Sequence, residues 1–344
     1  MKVRMFAFAA VMAVLCLTAN SVFAAQAPRL RIITTTFPLY DWTRQILGNQ
    51  LKDVELIQLQ DNGVDLHNFQ PSVRDIARIA QCDLFVFVGG ESDEWAETAL
   101  RSQRNPRCIA VNLLTELGDA AREEAHLEGM EEHDHDHGEE KHDHDHHHGE
   151  DKHDHDHHHG EEHELDEHVW LSLRRASRLC QAIADRLAKL DPSHSAEYQS
   201  NCQAYQSRLR SLDKRYADTV KTAHEKKLLF ADRFPFRYLA DDYGLTCFAA
   251  FSGCSAETEA SFKTIVFLAS KVDEFSLPAV LVLESRQHKI AETVVRTAKS
   301  KGVKILTVDS LQSATSRDAR KGKTYLATME QNLTVFQDAL GIAR

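Results

Sequence analysis

The stretch that most restricts the fold is 133–168, where histidine alternates with aspartate and glutamate almost without an apolar residue. No face of such a segment can be buried, so it predicts a solvated loop within an otherwise globular chain. An eleven-residue unit recurs in it, since HDHDHHHGEDK at 142–152 returns as HDHDHHHGEEH at 153–163. Because the repeat has nothing to stack into a core, it indicates an expanded loop and not a solenoid.

Imidazole and carboxylate side chains at this density predict that the tract binds metal ions, without indicating which metal or for what purpose. A charged linker, or a purification tag in an engineered chain, is the alternative interpretation. The histidines expected to take part in this auxiliary loop are His133, His135, His137, His142, His144, His146, His147, His148, His153, His155, His157, His158, His159 and His163.

The charge of the chain is concentrated in the same tract. Residues 131–167 hold 17 acids and two lysines, a local charge of −15, whereas the whole chain of 344 residues has a net charge of −11. The remainder is therefore at about +4, which predicts neither a nucleic-acid partner nor an acidic body. A chain of this length, with 42% hydrophobic residues, is long enough for two domains with separate cores.

The N-terminus has the pattern of a secretory signal. Two basic residues precede an apolar run at 5–17 and a small-residue exit at 22–25, so we expect a cleavable signal peptide over 1–25 and a periplasmic or other extracytoplasmic location. Leu15 is large for the position before a lipid-bearing Cys16, which favours a soluble exported protein. No other apolar run approaches the length of a membrane span.

Six cysteines remain after the signal, and an even number in an exported chain permits disulfides. The preferred pair is Cys180 with Cys202, on either side of a predicted helical turn at 190–193. Less favoured pairs are Cys82 with Cys108 and Cys247 with Cys254. Six buried free thiols are the alternative. None of the spacings is that of a zinc ribbon, so the cysteines are not predicted as metal ligands.

Strands and helices alternate on both sides of the tract. Predicted strands cover 29–35, 54–59, 83–88 and 109–113 before it, and 228–231, 245–250, 279–283 and 303–308 after it. This alternation predicts an α/β fold of two lobes, each a parallel sheet with flanking helices, joined by one long linking helix at 195–226. The predicted N-terminal lobe is 26–194, including a disordered loop at 119–166, and the C-terminal lobe is 227–344.

Ligands of open α/β sheets bind beyond the carboxyl ends of the strands. Asp232, Glu284 and Asp309 each follow a predicted strand of the second lobe, whereas His67 lies in the loop after the second strand and His168 begins the helix after the tract. Together they predict a nitrogen and oxygen site for Zn²⁺ or Mn²⁺ in the cleft between the lobes. Taken singly, each aspartate has the alternative interpretation of a helix cap.

Several segments resemble the zinc/manganese substrate-binding proteins of bacterial ABC transporters, and the resemblance covers nearly all of the chain after the signal. They are GVDLHNFQPS at 63–72, DEHVWLS at 166–172, residues 234–238 and 242–245, and 324–326 with Met329 and Asn332.

The resemblance implies a set of metal ligands. His67 and His168 match the first two metal-binding histidines of that family, and Asp309 matches its late acidic ligand. The family's third histidine is replaced here by Arg233, which stays protonated and cannot bind metal. Asp232 beside it is the expected substitute, and Glu284 is an additional ligand or a support for one.

The same resemblance implies capture of a divalent ion outside the membrane, zinc first and manganese second, and its delivery to an ABC-transporter permease by a monomer that is not an enzyme. An extracellular metal buffer or chaperone without a transporter is the main alternative. A metallohydrolase is the other, but the chain has neither HExxH nor a nucleophile elbow.

Overall fold

The structure, a computed structural model, describes residues 30–130, 164–255, 259–284 and 288–342. The predicted signal peptide, Cys16 and the fourteen histidines of the auxiliary loop lie outside the described residues. None of the helices in the described ranges combines the length and the apolar character that crossing a membrane requires.

The first lobe is a parallel four-stranded sheet in the order β2-β1-β3-β4, with helices between its strands. The strands are β1 (Leu30–Thr34), β2 (Val54–Gln58), β3 (Leu84–Phe87) and β4 (Ile109–Asn112). The helices are α1 (Phe37–Leu47), α2 (Val73–Ile79), α3 (Glu94–Arg101) and α4 (Leu113–Leu117). β3 is buried along its whole length, as expected for an inner strand of a parallel sheet covered on both faces.

Two helices follow the tract, α5 (Leu173–Leu190) and α6 (Ser195–Thr222). Ser172 caps α5 by accepting the backbone N–H of Arg175 at 3.1 Å. α6 has 28 residues, with no glycine or proline among them, and therefore extends over about 42 Å. It packs against α5 and α1, and also against α11 (Tyr325–Ala339), the last helix of the second lobe. One helix thus contacts both lobes.

The second lobe repeats the architecture of the first, with a parallel sheet in the order β6-β5-β7-β8. Its strands are β5 (Lys227–Phe234), β6 (Thr246–Ser252), β7 (Ala279–Val282) and β8 (Lys304–Thr307). Its other helices are α7 (Arg237–Tyr243), α8 (Phe262–Glu274), α9 (Lys289–Thr297) and α10 (Ser316–Arg320). The predicted fold class, two α/β lobes joined by a long helix, is confirmed.

A single hydrophobic cluster runs through both lobes and the helices between them. It contains Trp42 of α1, Trp170 and Tyr325, all with no exposed surface. Hydrogen bonds tie the lobes together inside this core, because the Trp170 Nε1–H donates to the Ser310 carbonyl at 2.9 Å and the Tyr325 backbone N–H to Asp41 Oδ2 at 2.8 Å. Separating the lobes would expose this apolar surface and break these bonds.

The end of β5 differs from the prediction. The strand was expected to end at 231, but it continues to Phe234 with a register shift between Phe230 and Arg233. Asp232 therefore lies inside an irregular strand and not after it. The following helix begins at Arg237, and Pro235 disfavours helical backbone at residue 234 before it.

The two flanks of the tract are paired with each other. Glu123 and Leu165 form an antiparallel bridge, the Glu124 N–H donates to the Glu164 carbonyl at 2.9 Å, and the Asp166 N–H to the Arg122 carbonyl at 2.8 Å. We call residues 122–124 and 164–166 the tract clamp. The disordered loop predicted over 119–166 is therefore too wide, since 119–130 and 164–166 have defined positions.

All six described cysteines are free thiols in the structure. Cys82 Sγ lies 3.6 Å from Cys108 Sγ. Cys180 on α5 and Cys202 on α6 are both fully buried. The disulfides, including the preferred Cys180–Cys202 pair, stay predictions.

Candidate metal centre

His67 is held in the loop that follows β2. It lies in a short 3₁₀ turn, Leu66–Asn68, which Asp65 caps by accepting the His67 backbone N–H at 3.1 Å. The ring is mostly buried, and its Nδ1 lies 2.8 Å from the Ser92 hydroxyl at the start of α3. With Nδ1 occupied by Ser92, Nε2 is the nitrogen that faces His168.

His168 is positioned by the end of the tract clamp. It is fully buried, its backbone N–H donates to Asp166 Oδ1 at 2.8 Å, and its Nδ1 lies 3.0 Å from the same oxygen. A carboxylate can only accept, so Nδ1–H is the donor and Nε2 points the other way. Such a carboxylate behind an imidazole is the usual means of orienting a metal-binding histidine.

The two inward nitrogens are already close together, with 3.2 Å between His67 Nε2 and His168 Nε2. Two nitrogens bound to one tetrahedral zinc ion at about 2.0–2.1 Å lie about 3.3 Å apart. The imidazole pair therefore has the separation that a shared zinc ion requires.

Cys254 is the third member of this group. One ligand atom from each of His67, His168 and Cys254 lies within 4.8 Å of the other two. Among the residues that the structure describes, these three side chains form the group that is placed to hold a metal ion. Cys254 follows β6, and its backbone N–H donates to Glu124 Oε1 of the tract clamp at 2.7 Å. The clamp thus positions both His168 and Cys254.

The pKa values of the two imidazoles are shifted in opposite directions. Burial lowers the pKa of His67, and the nearby His168 and Arg233 lower it further. Burial also opposes a charge on His168, but the charge and hydrogen bond of Asp166 outweigh it and raise the pKa of His168. The side-chain amide of Gln312 is oriented so that its nitrogen donates to Asp65 at 2.6 Å. Its oxygen then accepts from His168 Nε2 at 2.8 Å. Two acceptors, His67 and Gln312, thus favour a proton or another cation at that nitrogen.

A cavity of about 430 Å³ opens beside His67 and Cys254. Its lining residues are His67, Phe69, Gln70, Glu91, Ser92, Glu94, Trp95, Glu164, Leu165, Glu167 and Cys254. Burial raises the pKa of Glu167 to about 7. Glu167 Oε1 accepts the Ser92 backbone N–H at 2.7 Å, whereas Oε2 is buried without a hydrogen bond, 3.5 Å from His67 Nδ1. The acids that line the cavity favour a cationic occupant.

The three predicted carboxylates of the second lobe lie outside the group of His67, His168 and Cys254. Asp232 accepts the backbone N–H groups of Arg233 and Leu283, at 2.8 and 3.1 Å. Asp309 accepts the Leu311 N–H at 2.8 Å and pairs with Lys323.

Glu284 accepts both the backbone N–H and the hydroxyl of Ser310, at 2.8 and 2.7 Å. The carboxyl ends of the strands do bring these acids to one edge of the sheet, but their oxygens are engaged by other partners there.

Arg233, which the resemblance predicts to replace a metal-binding histidine, pairs with Asp65 across the lobes, with 2.6 Å between Nη2 and Oδ2. Asp65 thereby neutralises a permanent positive charge close to the histidine pair. Its own pKa is lowered, because Arg233 and His67 outweigh the opposing effect of burial.

Sequence reasoning did not find Cys254, Asp166 or Ser92. Cys254 comes two residues after β6, so the rule that placed the predicted acids at strand ends also applies to it. It was set aside because its spacing to other cysteines is not that of a zinc ribbon. Asp166 could have been found as the acid two residues before a predicted ligand, but the contact of Ser92 with His67 depends on tertiary packing.

The chain matches a known protein family over most of its length. The family model described as "Zinc-uptake complex component A periplasmic" (ZnuA) matches residues 32–339. The chain is 32% identical over 311 residues to the zinc-binding lipoprotein AdcA of Streptococcus pneumoniae, covering 90% of this chain but 55% of AdcA. It is 31% identical over 316 residues to the high-affinity zinc uptake system protein ZnuA of Bacillus subtilis, covering 92% and 89% of the two chains.

Solved structures of related proteins have a similar fold. The Zn(II)-bound ZnuA-like domain of Streptococcus pneumoniae AdcA aligns with a TM-score of 0.65 at 26% identity, over 91% of this chain and 99% of that domain. The metal-dependent lipoprotein YcdH of Bacillus subtilis aligns with a TM-score of 0.68 at 25% identity, over 90% and 98% of the two chains. Because the family model matches nearly the whole described chain, the protein belongs to the ZnuA family, the zinc-type substrate-binding proteins of ABC transporters.

Proposed function

We propose that this protein captures a zinc ion in the cleft between its lobes, on His67 and His168, and delivers it to an ABC-transporter permease. The observation that carries the proposal is the 3.2 Å separation of the two Nε2 atoms, with both rings fixed from behind by Ser92 and Asp166. Imidazole nitrogens at this separation are spaced to share one zinc ion. The zinc-related names of AdcA and ZnuA support the same ion.

The finer parts of the proposal follow from the family and the sequence. The protein acts outside the cytoplasm as a monomer without catalytic activity, and manganese is the second candidate ion. Asp309 is the proposed acidic ligand from the second lobe, which requires it to exchange Lys323 for the metal. Asp232 would have to release its two backbone donors to bind the metal, and Glu284 supports the Ser310 loop.

Isothermal titration of the metal-stripped protein with Zn²⁺ and Mn²⁺ tests the proposal. A variant lacking 131–163 is titrated in parallel, because the tract histidines bind metal on their own. We expect this variant to keep one tight zinc site and His67→Ala to lose it. His224→Ala, which removes a histidine whose side chain is 97% exposed, is the matched control and should bind like the parent.

A metal buffer is the second candidate function, because the tract alone offers fourteen histidines. It predicts many weak zinc equivalents that all disappear with the deletion of 131–163. That result would contradict capture in the cleft, whereas a tight site that survives the deletion excludes a function confined to the tract.

A further inference from the structure

Cys254 completes the group formed by His67 and His168, and neither its position in the sequence nor the family resemblance assigns it a role. We propose that Cys254 binds the captured ion through its sulfur, as a thiolate, and that this ligand makes the site prefer zinc-like ions over manganese. The inference rests on the proposed capture of zinc by the two histidines and adds to it the third ligand and the basis of ion choice.

The distances permit this ligand. The three ligand atoms lie within 4.8 Å of one another. In a tetrahedral zinc site, bonds of about 2.3 Å to sulfur and 2.0–2.1 Å to nitrogen place the ligand atoms about 3.3–3.6 Å apart. A movement of about 1 Å by the cysteine side chain, within reach of a χ1 adjustment, therefore closes the site. As the sulfur–zinc bond forms, the S–H bond breaks and its proton passes to solvent.

The backbone beside Cys254 is built close to His168. A Cβ placed on Gly253 would lie 2.9 Å from the Phe234 carbonyl oxygen and 3.1 Å from His168 Cε1, so the absence of a side chain at 253 lets the loop approach the imidazole. The hydrogen bond from the Cys254 N–H to Glu124 then fixes the next residue. The glycine thus permits the approach, and the hydrogen bond to Glu124 keeps the cysteine beside the histidine pair.

Binding of the metal is what would stabilise a thiolate here, because burial and the carboxylates of Glu124, Glu167 and Asp166 raise the pKa of Cys254 in the metal-free site. Arg233 stands where the family has its third histidine and is engaged with Asp65, so it leaves the metal one protein ligand short. A thiolate supplies both the missing ligand and a negative charge. Soft sulfur ligands favour zinc, whereas manganese favours carboxylate and other oxygen ligands, so a site with two imidazoles and a thiolate discriminates between the two ions.

Cobalt substitution tests the proposal in the full chain. Co²⁺ bound by a thiolate gives a sulfur-to-cobalt charge-transfer absorption in the near ultraviolet. The tract contains no cysteine, so cobalt bound there cannot contribute to it. We expect the absorption in the parent and in Cys108→Ser, a control at another half-buried thiol, and its loss in Cys254→Ser. A parent that binds Co²⁺ without this band, or a Cys254→Ser variant that keeps it, would overturn the inference.

Ion preference is the second readout, measured by titration of the same variants with Zn²⁺ and Mn²⁺. Loss of a residue that supports a ligand typically costs about 10–100-fold in metal affinity, and loss of a direct ligand should cost at least as much. Cys254→Ser should therefore reduce zinc affinity by at least this factor and reduce manganese affinity less. Cys254→Asp should shift the preference towards manganese. Equal losses for both ions in Cys254→Ser would contradict a sulfur-based preference.

Alkylation of the unmodified chain avoids any dependence on how the variants fold. Zinc should protect Cys254 from iodoacetamide and leave Cys108 equally reactive with and without the metal, as read by peptide mass mapping. Equal alkylation of Cys254 in both states would overturn the inference. Absence of tight zinc binding by the parent would instead refute the proposed function, so the two failures are distinguishable.

Discussion

One carboxylate determines which ring nitrogen of His168 is directed towards His67. Asp166 accepts from both the backbone N–H and the ring Nδ1 of this residue, at 2.8 and 3.0 Å. The negative charge behind the ring also makes Nε2 more basic. A more basic nitrogen binds zinc more tightly, but it binds the competing proton more tightly as well.

Zinc affinity should therefore decrease as pH falls, starting above the ordinary histidine pKa. Burial opposes the charged ring, but Asp166 outweighs it and raises the pKa of His168 above 6.5, so a proton displaces zinc already at mildly acidic pH. Below the raised pKa, the apparent affinity should fall about tenfold per pH unit. Competition against a zinc-binding dye between about pH 8 and pH 5 measures the profile.

Asp166→Asn should move this profile to lower pH and weaken binding about 10–100-fold at the alkaline end. Asp191→Asn is the matched control, because it breaks an aspartate–histidine contact with His194 outside the cavity. If Asp166→Asn and the parent had the same profile, the proton would not compete at His168.

The two histidines could be predicted from the sequence, whereas the sulfur could not, for a physical reason. His67 and His168 lie in motifs whose neighbours, Asp65 and Asp166, are the residues that orient them. Cys254 becomes part of the site only because β6 ends beside His168 and Gly253 permits close approach. The sequence shows that Cys254 follows a strand, but its proximity to the histidines depends on how the lobes pack.

At the scale of elements, apolar runs bounded by polar residues predicted the strands to within about two residues at most ends. β5 is the exception, since its pairing with β6 resumes at Arg233 after an irregularity that no pattern of residues announced. This bulge directs Asp232 towards the backbone of Leu283. The predicted strand-end carboxylate of Asp232 thus contacts backbone in the structure, and its role as a metal ligand stays a prediction.

The starts of β3 and β4 provide an element-scale prediction. Cys82 and Cys108 precede these neighbouring strands with 3.6 Å between their sulfurs, so mild oxidation should join them. By closing a loop from 82 to 108, the bond should add about 3 kcal/mol to the free energy of unfolding. Urea unfolding of oxidised and reduced protein measures the change, and peptide mass mapping identifies the bond.

Cys108→Ser is the control for this experiment and should show no change in unfolding free energy on oxidation. The same mass mapping tests the predicted bond between Cys180 and Cys202. A stabilised protein in which Cys82 and Cys108 remain thiols would contradict the assignment to β3 and β4.

At the scale of the whole molecule, the two lobes share one core and not merely a hinge. Side chains from both lobes are buried in the same hydrophobic cluster around α6. Hydrogen bonds also cross between the lobes, such as the two that Ser316 donates to Asp61 at 2.6 and 2.7 Å. A wide opening would return this apolar surface to water at about 25 cal/mol per Å². Binding should therefore involve side chains and loops more than rotation of the lobes.

Zinc binding should accordingly leave the radius of gyration unchanged within experimental error. Small-angle X-ray scattering of zinc-free and zinc-loaded protein measures it. The variant lacking 131–163 is the correct sample, because metal bound by the tract could change the scattering without any movement of the lobes. A clear decrease in that variant on zinc loading would mean that the lobes close like those of hinged binding proteins.

The tract clamp has a consequence for how the chain can change over generations. Its pairing of Glu123 with Leu165 fixes the two points between which any intervening sequence must run, whatever its length. For a chain that joins two fixed points, each doubling in length costs only about 0.6 kcal/mol of closure entropy. Copies of an eleven-residue histidine unit can thus be gained or lost by slippage in the gene, which would change the metal capacity predicted for the tract while the cleft stays as it is.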